Sequence, residues 1–218
     1  MMDTEQASSL AGKVALVTGS TSGTGPGIAR SLAALVFLVA WLTSAAATDL
    51  DRSFILVAAP TLKGALYRAS VLVVAPAGGD AHIGFIINHP TEMKLALRSA
   101  DQSGAPKTAP LYLGGPLEPT LVFALVRRAS NPGGHSFELL PGLYAAYDQS
   151  VVARIVATEP DSARFMAGFV AWRPGELRAE IDAGAWNVLE PDAALVMEQP
   201  DGLWDRLARL CERLRNTI

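Results

Sequence analysis

Between Phe54 and Leu140 the chain uses one device six times: a short apolar or β-branched run that ends at or beside a turn-forming Gly, Pro or Asn. The runs are FILVAAP (54–60), SVLVVAP (70–76), IGFIINHP (83–90), LYLGGP (111–116), LVFALVRR (121–128) and SFELL (136–140). Segments of this length, rich in Val, Ile and Phe and punctuated by turn residues, form strands. Several are apolar at consecutive positions, the pattern of strands covered on both faces. A chain with so many strands in its first half has to build its core around a sheet.

The second half changes period. DQSVVARIVATEP (148–160) puts Val151, Val152, Ile155 and Val156 on one side of a helix. TEPDSARFMAGFVAW (158–172) is expected to be a second helix, with Thr158 as N-cap, Pro160 in the first turn and Phe165, Met166, Phe169 and Val170 as its stripe. DGLWDRLARLCERLR (201–215) is expected to be a third, with Asp201 at its start and Arg213 and Arg215 at its negative end. Its apolar side carries Leu203, Leu207, Leu210, Cys211 and Leu214, so Cys211 is read as a core residue. Strands first and helices late predict an α+β fold and not a doubly wound parallel sheet.

Charge and cysteine content narrow the function. With 18 Lys and Arg against 21 Asp and Glu, and no long run of one sign, the chain lacks the electrostatic footprint of a dedicated nucleic-acid binder. One cysteine excludes both an intramolecular disulfide and a multi-cysteine zinc site. His82, His89 and His135 are too widely spaced to suggest a metal centre. No metal and no cofactor is expected.

Ahead of the strands stand two segments of different character. Residues 1–29 contain KVALVTGSTSGTGPG, which resembles the opening of the short-chain dehydrogenase/reductase family through Thr18, Gly19, Gly23 and Gly25. Such a loop lets a pyrophosphate approach the backbone at a helix N-terminus and would imply NAD(P) binding. The likeness covers about the first 36 residues, with no second βα unit behind it. That family's Tyr-x-x-x-Lys pair is missing too: Tyr67, Tyr112, Tyr144 and Tyr147 are followed at that offset by Val71, Pro116, Asp148 and Val151. The loop is therefore expected to be a fragment and not a functional domain.

Residues 30–47 read as an export signal, with Arg30 as positive flank, an uncharged apolar core from Leu32 to Leu42 and small residues Ala45, Ala46 and Ala47 at a cleavage site. Its position behind 29 residues is unusual for a signal, and a buried helix is the alternative. Export would place the body, residues 49–218, outside the cytoplasm; otherwise the chain is cytoplasmic.

Three stretches of that body carry a more specific likeness: FILVAAPTLKGALYRASVLVVAPAGGDAHIGFIINHPTE, LYLGGPLEP and ARFMAGFVAWRPGELRAEIDAGAWNVLEPD, in this order. Over residues 54–214 the chain resembles the YqgE/AlgH family, also known as UPF0301 or DUF179. The resemblance implies a mixed α/β fold in which a bifurcated sheet curls into a pseudo-barrel with flanking helices. It also implies the family's label of transcriptional regulator, through a link to alginate production, and brings no catalytic residues with it. One departure is His89, where the family commonly has Arg after the motif asparagine.

From these motifs a binding surface is expected on Asn88, His89 and Pro90 at one strand end and Gly114, Gly115 and Pro116 at another, with Trp172, Glu180 and Trp186 in the third stretch. Asn, His and bare glycine N–H groups could hold a small polar or anionic ligand, although the same residues are what sharp bends require. Glu176 and Glu180 share a helix face, as paired acid/base carboxylates would, but nearby Arg173 and Arg178 favour a solvated or salt-bridged face. The tryptophans are read as packing anchors. The first functional expectation is thus a non-enzymatic regulatory or binding protein, its partner a protein or small ligand. An NAD(P)-dependent oxidoreductase and an exported small-ligand binder are the alternatives.

Overall fold

A computed structural model describes residues 50–97 and 107–216. The dehydrogenase-like loop with Thr18, Gly19, Gly23 and Gly25 and the signal-like segment 30–47 both lie outside the described residues.

Among the described residues ten strands and three α-helices follow one another as β1 (Phe54–Ala58), β2 (Val71–Gly78), β3 (Ala81–Ile86), β4 (Pro90–Leu97), β5 (Lys107–Leu113), β6 (Leu117–Arg127), β7 (Ser136–Leu140), β8 (Leu143–Ala146), α1 (Gln149–Thr158), β9 (Ala163–Trp172), α2 (Glu176–Asp182), β10 (Trp186–Leu189) and α3 (Leu203–Arg215). The main sheet runs β10-β1-β2-β3-β9-β6-β8-β7, antiparallel throughout. The hairpin β4–β5 leaves that path and joins it where β5 lies parallel to β9. The α+β expectation holds, with a curled, branched sheet forming a half-barrel.

Consecutive apolar positions are explained by two-sided burial. All five residues of β1 are buried. Ile55 and Val57 face the largest core cluster, with Phe85, Phe123, Leu125 and Met166 inside the curl and Leu203, Leu207 and Cys211 of α3 closing it. Phe54, Leu56 and Ala58 face a second cluster under α2, which includes Leu177, Trp172 and Trp186. On a third face α1 places Val151, Val152, Ile155 and Val156 against Leu111, Val126 and Phe165. Each such aliphatic side chain contributes about 1.5–3 kcal/mol on burial, which compensates for the low intrinsic helix propensity of the valines in α1.

Two helix boundaries differ from the sequence reading. Asp148 caps α1, its carboxylate accepting from Ser150 N and Val151 N, and Thr158 is the last residue of that helix, its hydroxyl donating to Arg154 O at 2.8 Å. Asp201 does not cap α3: Gly202 stands at that position in the left-handed region, with no side-chain cap bond. On α3, Leu203, Leu207 and Cys211 are buried as expected, whereas Leu214 is 51% exposed.

The larger correction concerns residues 158–172. Beyond Thr158 they form no α-helix: a single 3-10 turn at Pro160–Ser162 leads into β9, the strand at which the sheet divides. Phe165 and Ala167 belong to one cluster and Met166 to another, so apolar residues sit on both faces of the strand. A run buried on both sides has no period, and a chance stripe at helical spacing then misleads. Strands β4, β8 and β10 were also absent from the sequence reading, each being short or polar on its open side.

Candidate functional site

The branching of the sheet is built from glycines. One edge of β9 is shared: Phe165, Met166 and Ala167 pair with β5, whereas Val170, Ala171 and Trp172 pair with β3. Between the two sets lies Gly168 with φ +70°, a left-handed conformation that turns the strand from one partner to the other. Gly114 bridges the gap, its N–H donating to Ala167 O at 2.8 Å and its carbonyl accepting from Ile86 N at 2.9 Å. Gly114 and Gly115 are buried against the backbone of β9, so close that a methyl on Gly115 would stand 2.2 Å from the Phe169 carbonyl. The Gly114 backbone is thus spent on the fork of the sheet, and Gly115 is packed against it.

Asn88, His89 and Pro90 meet this fork. Leu113 N donates to His89 O at 2.9 Å, and Pro90 lies opposite Tyr112. Both ends of the Asn88 amide are engaged: Nδ2 donates to Ala69 O and Oδ1 accepts from Val71 N, each at 2.8 Å. The amide spans Ser70, directly after Ala69, whose φ of 56° is a left-handed conformation costing about 1–2 kcal/mol for a residue with a Cβ. Asn88 therefore holds a strained entry into β2. Ser70 is fully buried beside it, its hydroxyl donating to Leu66 O at 3.1 Å and lying 3.3 Å from His89 Nε2.

Burial holds the His89 imidazole below its usual pKa, with the Ala69 carbonyl opposing that shift. A histidine less basic in the folded than in the unfolded chain binds fewer protons when folded, so stability rises with pH below the ordinary value near 6.5 and levels off above it. Urea midpoints are expected to fall as pH drops from 7 toward 5, and His89→Gln is expected to flatten that dependence. Parallel profiles for the two proteins would remove His89 as the cause.

Across the fork, Arg164 of β9 is 6% exposed. Its guanidinium donates to Ile87 O at 2.5 Å and to Glu198 O, and stacks 4.4 Å from the centre of the Tyr112 ring. Burial lowers its pKa from the ordinary arginine value, but a guanidinium remains charged. Carbonyl oxygens and an aromatic face take the place of a carboxylate partner. The sequence reading missed this residue, although a lone arginine within ARFMAGFVAW was a visible signal.

Trp172, Glu180 and Trp186 form a separate junction below α2. Glu180 Oε2 accepts from Trp172 Nε1 at 3.0 Å and from Trp186 Nε1 at 2.8 Å. Both indoles are buried, at 5% and 6% exposure. One carboxylate thereby clamps the end of β9 to the start of β10. Tyr67 packs edge-on against Trp186 at 5.9 Å, and burial together with the Glu180 charge raises its phenol pKa. Glu176 and Glu180, for which a solvated or salt-bridged face was expected over an acid and base pair, are used separately. Glu176 accepts from Arg173 N at 2.8 Å at the head of α2, while Glu180 serves the two indoles. The tryptophans are the packing anchors expected of them. Tyr67 and Ser70 carried no signal in the sequence that set them apart.

On the solvent side of the fork stand exposed Pro90 and, at 43% exposure, Leu117, with His89 and Pro116 half-buried beside them. No three His, Cys, Asp or Glu side chains converge as a metal site among the described residues.

The profile of a family described as DUF179, AlgH-like, matches residues 55–214. Among curated relatives, a UPF0301 protein of Chlorobium luteolum is 29% identical over 159 residues, 71% of this chain and 82% of that one. A UPF0301 protein of Thermobifida fusca is 31% identical over 166 residues, 71% and 84% of the two chains. The solution structure of the AlgH protein from Pseudomonas aeruginosa superposes with a TM-score of 0.60 at 23% identity, covering 79% of this chain and 93% of that one. A crystal structure of a Corynebacterium diphtheriae protein gives 0.57 at 20% identity, over 73% and 86%. At these identities the two structures speak for the fold.

Proposed function

Since the chain belongs to the AlgH-like family, DUF179, we propose that it acts by binding and not by catalysis, as a regulatory protein that presents the sheet fork to another protein. The observation that carries this is how the motif side chains are used. Both ends of the Asn88 amide, the two glycines and the Glu180 carboxylate are engaged by the protein's own backbone and indoles. A general acid or base must keep a hydrogen-bonding position for substrate, whereas these groups make a rigid frame. On that frame exposed Pro90 and Leu117, beside half-buried His89 and Pro116, offer an edge suited to protein contact. A net charge of -3 speaks against DNA as the direct partner.

A photo-crosslinking amino acid placed in vivo at His89 or Pro116 tests this. A discrete protein adduct is expected at these positions and not at exposed Gly184 on the far end of α2. Nucleic acid in the adduct, or the same faint adducts at all three positions, would contradict it.

A further inference from the structure

We propose that the fork engages its protein partner through a projecting bulge at Leu117 and Glu118, Leu117 entering an apolar pocket and Glu118 meeting a lysine or arginine at that pocket's rim. This chemistry rests on the protein contact proposed above and specifies what the partner must offer.

Three non-glycine residues have positive φ among the described residues, Ala69, Asp80 and Glu118. Two of them have a visible reason. Ala69 leads into the bridge made by the Asn88 amide, and Asp80 completes the glycine turn between β2 and β3 while its carboxylate accepts from Gly175 N at 2.9 Å. Glu118, at φ +46°, has no such reason: its side chain is exposed and forms no hydrogen bond or ion pair among the described residues. It also precedes Pro119, and a residue before proline is pushed toward extended backbone. Glycine would adopt this conformation without strain, so what glutamate adds here is its carboxylate.

The fork dictates the path of the backbone at this point. Leu117 pairs with Phe169 and Val122 with Ala167, so the residues Glu118 to Leu121 of β6 face the single Gly168 of β9. A Cβ on Gly168 would stand 2.6 Å from Gly115 O and Leu117 O and 3.2 Å from Pro119 Cα, so the bulged chain lies directly against that glycine. Pro116 and Pro119 stiffen the bulge from both sides. The product is a rigid projection, with Glu118, Pro119 and Thr120 exposed and Leu117 at 43% exposure. A stiff backbone loses little conformational entropy on docking. Once a partner covers the carboxylate, water no longer solvates it and a cation has to take that place.

The photo-crosslinker at His89, with Glu118 altered in the same chain, tests the proposal. Glu118→Gly relieves the left-handed strain and is expected to raise the urea midpoint by about 0.5 M. The same change is expected to lower adduct yield about tenfold, the loss of one charge-assisted contact. Glu118→Gln keeps the strain and removes only the charge, so the midpoint is expected to stay while the adduct falls by a similar factor. A midpoint that drops in the Glu118→Gly protein, showing that the side chain holds the fold, or an adduct at full yield in the Glu118→Gln protein, overturns the proposal. Absence of any adduct at His89 with Glu118 in place counts against the protein contact itself, whereas an adduct indifferent to Glu118 removes only the role of its carboxylate.

Discussion

Gly115→Ala is expected to yield almost no folded protein. The new methyl would stand 2.2 Å from the carbonyl carbon and oxygen of Phe169 and 2.7 Å from Val170 N. All three are backbone atoms of β9, which is paired on both edges and cannot withdraw. Overpacking a core with side-chain carbons costs about 1–3 kcal/mol because side chains can shift. Here the fork itself would have to open, separating β5 from β9, and a loss above about 4 kcal/mol is expected, a large part of a typical domain's 5–15 kcal/mol. Gly184→Ala provides the comparison. Gly184 has φ +74° and nothing within 4 Å of a built methyl. It ends α2 by donating to Ile181 O, while Ala185 N donates to Glu180 O. The cost there is strain alone, about 1–2 kcal/mol. Soluble yield and urea midpoint of the two variants decide the matter, and equal losses would show that close approach at the fork is not what Gly115 provides.

The second large effect is expected at Glu180. Alanine there strands two buried indole N–H donors, Trp172 Nε1 and Trp186 Nε1, each having lost a bond to a charged acceptor. At about 1.5–3 kcal/mol for each such bond, discounted because Glu180 is only partly buried, a loss of about 3 kcal/mol is expected. Glutamine keeps one carbonyl oxygen that both indoles can reach and should cost about 1 kcal/mol, the charge assistance alone. Glu180→Gln also removes the negative charge that helps raise the Tyr67 pKa, so that phenol should titrate lower while remaining above normal through burial. Ultraviolet titration reads this directly. If glutamine and alanine were equally destabilising, or Tyr67 failed to move, the carboxylate would not be the clamp described.

What could be read in the sequence, and what could not, follows from how each residue is used. Strands such as FILVA and VLVVA announced themselves because β-branched residues between turn signals have few other uses. The run ARFMAGFVAW misled because a strand buried on both faces has no period, and only its glycine and lone arginine hinted at the fork. Motif residues 88–90 and 114–116, legible in the sequence either as one surface or as turn residues, adjoin at the fork. The purpose of the glycines depends on β9, more than 45 residues further along, and no local pattern carries it. Likewise Glu180 has two candidate arginine neighbours in sequence, yet its partners are indoles brought in by strand pairing.

The most direct test of the account's central claim, that the body beginning at residue 49 is a self-sufficient unit framed by the fork and the indole clamp, is to remove residues 1–48 and compare urea unfolding by circular dichroism. Leu50 is kept because it is buried and its carbonyl lies 3.0 Å from His82 Nε2. The same midpoint and the same slope as the full chain are expected, with one cooperative transition. A shallow or broadened transition, or loss of soluble protein, would contradict the claim.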